Sequence, residues 1–301
     1  MKLSAFSFLF FALAASLPAA NLMVGGLERS YFLETPDGRG PWPVIIALHG
    51  GGGKASQMEK LTGLGALGKR EGFAVAYPEA KDKHWNDGRT DFKGESQADD
   101  AAFLMALRAK LVAEQLADPA RIYLCGISNG GMMSLRMACE HSDAFAAVGV
   151  VAMNMSAAFD CAPQGPVPIC FIKGDEDPLV PQDGGEIRLF KHGRARGKVR
   201  SFDESLAFWA KVNHCDLQPE ISLLPDKDPS DGCRVESWNY EPSKDGVELK
   251  AFLIKGGGHA WPGGWKYLPD FLVGRRSMDI DASAELWGFF RLYLARLEKF
   301  E

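Results

Sequence analysis

The sequence lacks the features that mark nucleic-acid-binding, repeat and metal proteins. Its 301 residues carry a net charge of −5, which argues against a nucleic-acid partner and gives no general attraction for anionic membranes. It contains no internal repeat or low-complexity tract, no HExxH motif and no CxxC pair, so we expect no metal site. With 46% hydrophobic and 24% charged residues, the composition is that of an ordinary globular protein.

The first twenty residues differ from the rest of the chain. Lys2 is followed by an apolar run from Leu3 to Leu17 and then by Pro18, Ala19 and Ala20. This pattern predicts a secretory signal peptide over residues 1–20, because the run is shorter than the roughly 20 apolar residues of a spanning helix. Pro18 is unfavourable for a cut after Ala20, so cleavage at any site from Ser16 to Ala20 stays open. We expect the mature chain to be secreted or periplasmic, with no membrane partner.

All six cysteines follow the leader, and export would place them where disulfides form. Two lie in apolar runs that are typical of buried strands, Cys125 and Cys170, where a free thiol behaves as a small hydrophobic group. The other four lie in polar contexts. We expect two disulfides, although spacing does not define connectivity: Cys139–Cys161 and Cys215–Cys233.

Short apolar runs alternate with helical patterns along the chain. Strands are predicted at 43–48, 73–77, 121–125, 146–151, 167–172 and 247–254. Helices are predicted at 98–115, 129–141 and 205–213, with a last helix carrying apolar residues from Leu286 to Leu297. This alternation predicts an α/β fold with a mainly parallel sheet covered on both faces. No linker is visible, so residues 21–301 are expected to form one domain, with 181–203 and 217–244 as surface excursions.

The strongest chemical signal is the pentapeptide Gly126-Ile127-Ser128-Asn129-Gly130, which stands between a predicted strand and a predicted helix. In this context G-x-S-x-G predicts a nucleophile elbow, a tight turn that exposes the hydroxyl of Ser128. The alternative is an ordinary turn with a helix-capping serine.

A serine nucleophile needs a base, usually a histidine held by a carboxylate. Four histidines follow Ser128, and His259 stands out because it lies between glycine-rich turns after a strand; the others are His141, His192 and His214. The acid should follow the strand 167–172. Pro178 biases Asp177 towards an extended conformation, so spacing slightly favours Asp177 and leaves Asp175 open.

Two backbone N–H groups are predicted to bind the oxyanion. One belongs to Asn129, after the nucleophile, and the other to Gly51 in the run His49 to Gly53. A phosphate-binding loop is the weaker interpretation of that run, because Leu48 and Ala55 replace the glycine and hydroxyl residue that it requires. Trp85 and Trp261 are predicted to bind the substrate, forming with Trp265 an apolar wall for its acyl or alcohol group, and a structural role for these tryptophans stays open as the alternative.

Together these motifs resemble the secreted polyhydroxybutyrate depolymerase-like esterases, which are related to feruloyl and acetyl xylan esterases. The matching segments include LHGGGG (48–53), HWND (84–87), GISNGGMM (126–133), GDEDPLVP (174–181), GGGHAWPG (256–263) and DIDA (279–282). The resemblance implies an α/β-hydrolase that cleaves esters through an acyl-enzyme, without a cofactor, and it implies Asp177 as the acid. The chain departs from the family pattern at Lys173 and Ala260, where histidine and threonine are more usual.

The resemblance leaves the substrate open. A polyhydroxybutyrate-type polyester or its oligomers is favoured, and a feruloyl or acetyl xylan ester is the alternative. A serine peptidase on the same fold and a catalytically inactive ligand-binding protein are less favoured, because a serine, an acid and a histidine are all present in the expected order.

Overall fold

The computed structural model describes residues 20–92, 96–189 and 193–294. The strands are β1 (Ala20–Val24), β2 (Leu27–Glu34), β3 (Trp42–Leu48), β4 (Ala74–Pro78), β5 (Ala117–Ile127), β6 (Val148–Val151), β7 (Ile169–Gly174), β8 (Gly185–Arg188), β9 (Ala195–Val199), β10 (Glu220–Leu223), β11 (Arg234–Tyr240) and β12 (Leu249–Lys255). The helices are α1 (Ala55–Thr62), α2 (Leu64–Glu71), α3 (Asp100–Ala113), α4 (Asn129–Glu140), α5 (Phe202–Val212), α6 (Asp270–Val273) and α7 (Ala282–Phe290).

Ten strands form one sheet in the order β1-β2-β4-β3-β5-β6-β7-β12-β11-β10. The six central strands, β4 to β12 in that order, are mutually parallel, and antiparallel strands extend the sheet at both ends. The predicted α/β fold is therefore confirmed. Because parallel strands end at the same edge, the loops after β3, β5, β7 and β12 lie together there.

Apolar side chains fill both faces of the central strands, as expected for strands that are buried on both sides. Helices α1, α2 and α7 cover one face through residues such as Met58, Leu64 and Leu286. Helices α3, α4 and α5 cover the other, for example with Phe103 and Leu206. The two layers hold the central strands rigid, so the loops at their ends are positioned by a packed core.

The two predicted surface excursions contain strands. Residues 181–203 include the β8–β9 hairpin, and residues 217–244 include β10 and β11, which extend the main sheet beyond β12. The interpretation of the second segment as an excursion is therefore wrong. Strand β11 is only half-buried and carries polar residues such as Glu236 and Asn239 between Val235 and Tyr240, so it lacks the continuous apolar run that marked the central strands.

The structure confirms one of the two expected disulfides. Cys139 and Cys161 are bonded, with their Cα atoms 5.1 Å apart, whereas Cys215 and Cys233 are free thiols. Cys215 lies beside Pro242 at one end of β11, and Cys233 precedes the other end. The seven-residue strand between those ends spans about 20 Å, far beyond the roughly 7 Å limit for a disulfide.

Cys125 and Cys170 are fully buried strand residues, as predicted. Burial raises the pKa of both thiols, which leaves them unreactive. In the described ranges no helix is both long and apolar enough to cross a membrane. The predicted signal peptide, apart from Ala20, and the end of the predicted last helix, including Leu297, lie outside the described residues.

Candidate active site

Ser128 lies in a strained turn between β5 and α4. Its backbone has φ 57° and ψ −123°, a region that residues with side chains rarely occupy. Glycines make the turn possible: a Cβ at Gly126 would lie 2.4 Å from Gly130, and one at Gly130 would lie 2.4 Å from the carbonyl oxygen of Leu48. The predicted elbow is therefore present, with Ser128 partly exposed at the edge where the parallel strands end.

The glycines of the loop after β3 lie beside the elbow and line the same cavity. The N–H of Gly52 donates to Lys83 O at 2.8 Å and that of Gly53 to Gly50 O at 3.0 Å. Within the described ranges, nothing accepts a hydrogen bond from the N–H of Gly51, and Gly51 lines the same cavity as Ser128. The structure thus leaves the N–H of Gly51 available for a ligand oxygen.

His49 bonds to this loop, and the hydrogen bonds of its ring define a single tautomer. Its Nε2 accepts from Ala80 N–H at 3.1 Å, so Nδ1 carries the proton and donates to Gly50 O at 2.8 Å. Burial lowers the pKa of His49, and the hydrogen bond to Gly50 only partly offsets this. The neutral ring therefore links Ala80, in the segment after β4, to the Gly50 carbonyl of the loop.

His259 and Asp177 form a buried pair. His259 Nδ1 donates to Asp177 Oδ2 at 2.8 Å, and both side chains are at most 4% exposed. The other carboxylate oxygen, Oδ1, accepts from the N–H groups of Leu179 (2.9 Å) and Val180 (3.0 Å). This arrangement fixes the ring so that Nε2 faces away from the acid. Among the described residues no hydrogen bond joins His259 to Ser128; such contacts are often long in a free enzyme and shorten with substrate.

The second acidic candidate has a different role. Asp175 Oδ1 accepts from Gly256 N–H at 2.7 Å, and Oδ2 pairs with the exposed Lys255 at 2.5 Å. Asp175 therefore holds the turn that leads from β12 towards His259, while Asp177 contacts the ring itself. Of the two carboxylates, that of Asp177 is the one hydrogen-bonded to the imidazole in the described structure.

Lys173 is a neighbour of the pair whose contact the sequence did not reveal. Its fully buried ammonium donates to Asp177 Oδ2 at 3.2 Å, Gly174 O at 2.8 Å and Val180 O at 2.9 Å. Burial lowers the pKa of Lys173, and the charge of Asp177 partly offsets that effect. Only the departure from the family pattern at this position could have drawn attention to it.

The His259 loop is supported from the segment around α6. The N–H of His259 donates to Val273 O, and Tyr267 Oη donates to His259 O at 2.8 Å. Gly258 allows the close approach, since a Cβ there would lie 2.2 Å from Val273 O. The segment from Trp265 to Val273 is thus bound directly to the loop that carries the histidine.

A cavity of about 490 Å³ opens over Ser128 and His259. Its walls are mainly apolar and include Met58, Leu61, Leu179, Leu189, Trp265, Tyr267, Leu268 and Leu272. The prediction that Trp85 and Trp261 bind the substrate as an apolar wall is wrong. Both are fully buried, and neither lines the cavity. Their indole N–H groups bond inside the protein, to His49 O and Ser283 Oγ. Trp265 alone of the three contributes to the wall.

The buried pair predicts how stability depends on acid. Burial would raise the pKa of Asp177, but the charges of His259 and Lys173 and its hydrogen bonds outweigh burial and lower the pKa from 3.8 to about 2. Because the pKa is lower in the folded state, the carboxylate stabilises the fold above about pH 4, and this contribution is lost as pH falls towards 2. It amounts to about 2 kcal/mol. Urea unfolding across this range should show it, and Asp177→Asn should remove that part of the slope; an identical slope in both proteins would contradict the assignment.

No group of three or more metal-binding side chains occurs in the ranges that the structure describes. The site brings together an elbow serine, a buried histidine–aspartate pair, the N–H of Gly51 and an apolar cavity. This fold and site define an α/β-hydrolase.

Comparison with known proteins supports the assignment to the α/β-hydrolases. The family described as Esterase PHB depolymerase matches residues 29–162. The NocK protein of Nocardia uniformis subsp. tsuyamanensis, which carries an esterase designation, is 33% identical over 83% of this chain and 75% of its own length. Feruloyl esterase B of Piromyces equi is 29% identical over 76% of this chain, which covers 42% of that protein. The chain belongs to the PHB depolymerase family of esterases and is a carboxylic-ester hydrolase.

Among solved structures, an acetyl xylan esterase from Aspergillus awamori shares the fold. It superposes with a TM-score of 0.55 at 15% identity and covers 87% of this chain and 94% of its own. At that identity the likeness supports the α/β-hydrolase fold alone.

Proposed function

We propose that the protein is an exported serine esterase that forms an acyl-enzyme on Ser128. The observation that carries this proposal is the shared cavity of Ser128 and His259, with the imidazole bonded to the buried Asp177. Ser128 Oγ attacks the ester carbonyl while His259 Nε2 takes its proton, and the oxyanion accepts from the N–H groups of Asn129 and Gly51. His259 then protonates the leaving alcohol, and water releases the acid by the same steps.

The cavity favours an apolar acyl group. Its walls offer leucine, methionine and aromatic side chains, and they offer few of the polar groups that a saccharide needs for hydrogen bonds. We therefore favour polyhydroxybutyrate-type polyester or its oligomers as substrate, since their acyl units are short and aliphatic.

A second candidate is a feruloyl ester of plant cell walls. Trp265 and Tyr267 both line the cavity, and aromatic rings at this position could stack on an aromatic acyl group. Several relatives carry the name feruloyl esterase, which supports the same alternative.

Export is supported by the apolar leader and by the disulfide between Cys139 and Cys161. Disulfides persist in secreted and periplasmic proteins and are rare in reducing compartments. Either compartment fits these observations.

Initial rates on a hydroxybutyrate oligomer, methyl ferulate, acetylated xylan and a peptide test the substrate proposal. We expect the oligomer to be cleaved at least about tenfold faster than the others, because a mismatched acyl group loses about 1–3 kcal/mol of transition-state binding. Ser128→Ala serves as the matched control and should be inactive on every ester. Faster cleavage of methyl ferulate would favour the second candidate, and equal rates in wild type and Ser128→Ala would contradict the mechanism.

A further inference from the structure

Trp85 is joined to both segments that carry the predicted oxyanion donors. Its indole N–H donates to His49 O at 2.9 Å, and that carbonyl belongs to the peptide leading into Gly50 and Gly51. The indole is fully buried, and its ring lies 5.2 Å from the His49 ring. Water therefore cannot replace this hydrogen bond without repacking the site.

The backbone of Trp85 is held by the residue after the nucleophile. Trp85 N–H donates to Asn129 Oδ1 at 2.8 Å, and Asn129 Nδ2 donates to Trp85 O at 3.0 Å and to Asp87 Oδ2 at 2.8 Å. These contacts use both N–H groups of the Asn129 amide, which is itself buried. Asn129 also supplies the second predicted oxyanion donor through its backbone.

We propose that Trp85 is a positioning residue that fixes the separation of the Gly51 and Asn129 N–H donors. The inference rests on the proposed acyl-enzyme mechanism and deepens it. Donors stabilise a tetrahedral oxyanion only when both lie about 2.7–3.1 Å from it. A residue bonded to both supporting segments keeps that spacing fixed before substrate arrives. Trp85 acts through the loop and does not contact substrate.

Trp85→Phe tests this inference, because it keeps a buried ring and removes the indole donor. We expect kcat on p-nitrophenyl butyrate to fall about 10- to 100-fold, less than the loss of a whole oxyanion donor, with KM within about twofold. A boronic acid forms a tetrahedral adduct on the serine, so its inhibition constant should rise by the same factor as kcat falls.

Trp209→Phe is the matched control. Trp209 is also fully buried, lies in α5, and its indole nitrogen has no hydrogen-bond partner in the described part of the chain. This variant loses the same ring volume and should keep kcat, KM and boronate affinity. Incorporation of benzothienylalanine at position 85, which replaces the N–H by sulfur with almost no change of shape, covers the case that Trp85→Phe does not fold.

The outcomes distinguish a failure of this inference from a failure of the acyl-enzyme mechanism. If kcat and boronate affinity of both position-85 variants stay within about twofold of wild type, Trp85 is only structural and the inference is wrong. If Ser128→Ala retains wild-type activity, the acyl-enzyme mechanism itself fails. Inactive Ser128→Ala together with a selective loss of kcat in the position-85 variants supports both.

Discussion

Replacing Asp177 with asparagine is expected to lower kcat for ester hydrolysis by about 10³–10⁴-fold. The amide oxygen can still accept from Leu179 and Val180, which turns the NH₂ group towards His259 Nδ1 and the ammonium of Lys173. Donors would then face donors, so the ring would no longer be held with its Nε2 free to take a proton. Steady-state kinetics on p-nitrophenyl butyrate measure the change.

Asp175→Asn is the matched control for that experiment, two residues away in the same loop. An asparagine oxygen can still accept from Gly256 N–H, and only the exposed pair with Lys255 is lost. We expect kcat to stay within about threefold, since exposed ion pairs contribute about 0–1 kcal/mol. A greater loss in Asp175→Asn than in Asp177→Asn would mean that the acid has been assigned to the wrong carboxylate.

Lys173→Met is expected to reduce the free energy of unfolding by about 3–5 kcal/mol at neutral pH. The substitution leaves Asp177 buried without its cationic neighbour and removes the donor for Gly174 O and Val180 O. The hydrogen bond between His259 and Asp177 remains, so kcat per folded molecule should fall by less than about tenfold. Urea unfolding followed by fluorescence measures the stability, and kinetics at the same pH measure kcat.

Lys255→Met provides the comparison, because Lys255 also pairs with an aspartate of this loop. Its side chain is half exposed, so its loss should cost less than about 1 kcal/mol. Equal destabilisation by the two substitutions would refute the view that the Lys173 ammonium stabilises the buried acid.

The parts of the site that the sequence predicted depend on local pattern. Three features that mark the elbow are adjacent in the chain: the run from Arg121 to Ile127, the glycines beside Ser128 and the helix that follows. The tight turn requires these residue types. The same kind of local pattern, with glycines on both sides, predicts His259. Spacing does not separate Asp177 from Asp175, because both lie on the same short loop. The structure shows which carboxylate contacts the ring of His259.

The predictions that the structure contradicts depend on how separate segments pack in three dimensions. Trp85 stands in a polar stretch, yet it is fully buried and hydrogen-bonds to His49 and Asn129, which lie 36 and 44 residues away. Cys215 and Cys233 are close in sequence, yet β11 holds them apart. The sequence pattern does not predict strand β11, because its outward side chains are polar. Pairing with β12 along its whole length makes it part of the sheet.

Covalent labelling tests the central claim, that Ser128 is a nucleophile activated by His259, most directly. Wild-type protein is incubated with a p-nitrophenyl alkylphosphonate, p-nitrophenol release is counted, and the labelled peptide is identified by mass spectrometry. We expect one equivalent of p-nitrophenol and one adduct per chain, located on Ser128, with labelling slowed by several orders of magnitude in His259→Ala. An adduct on another residue, or ester hydrolysis that persists after Ser128 is fully labelled, would contradict the account.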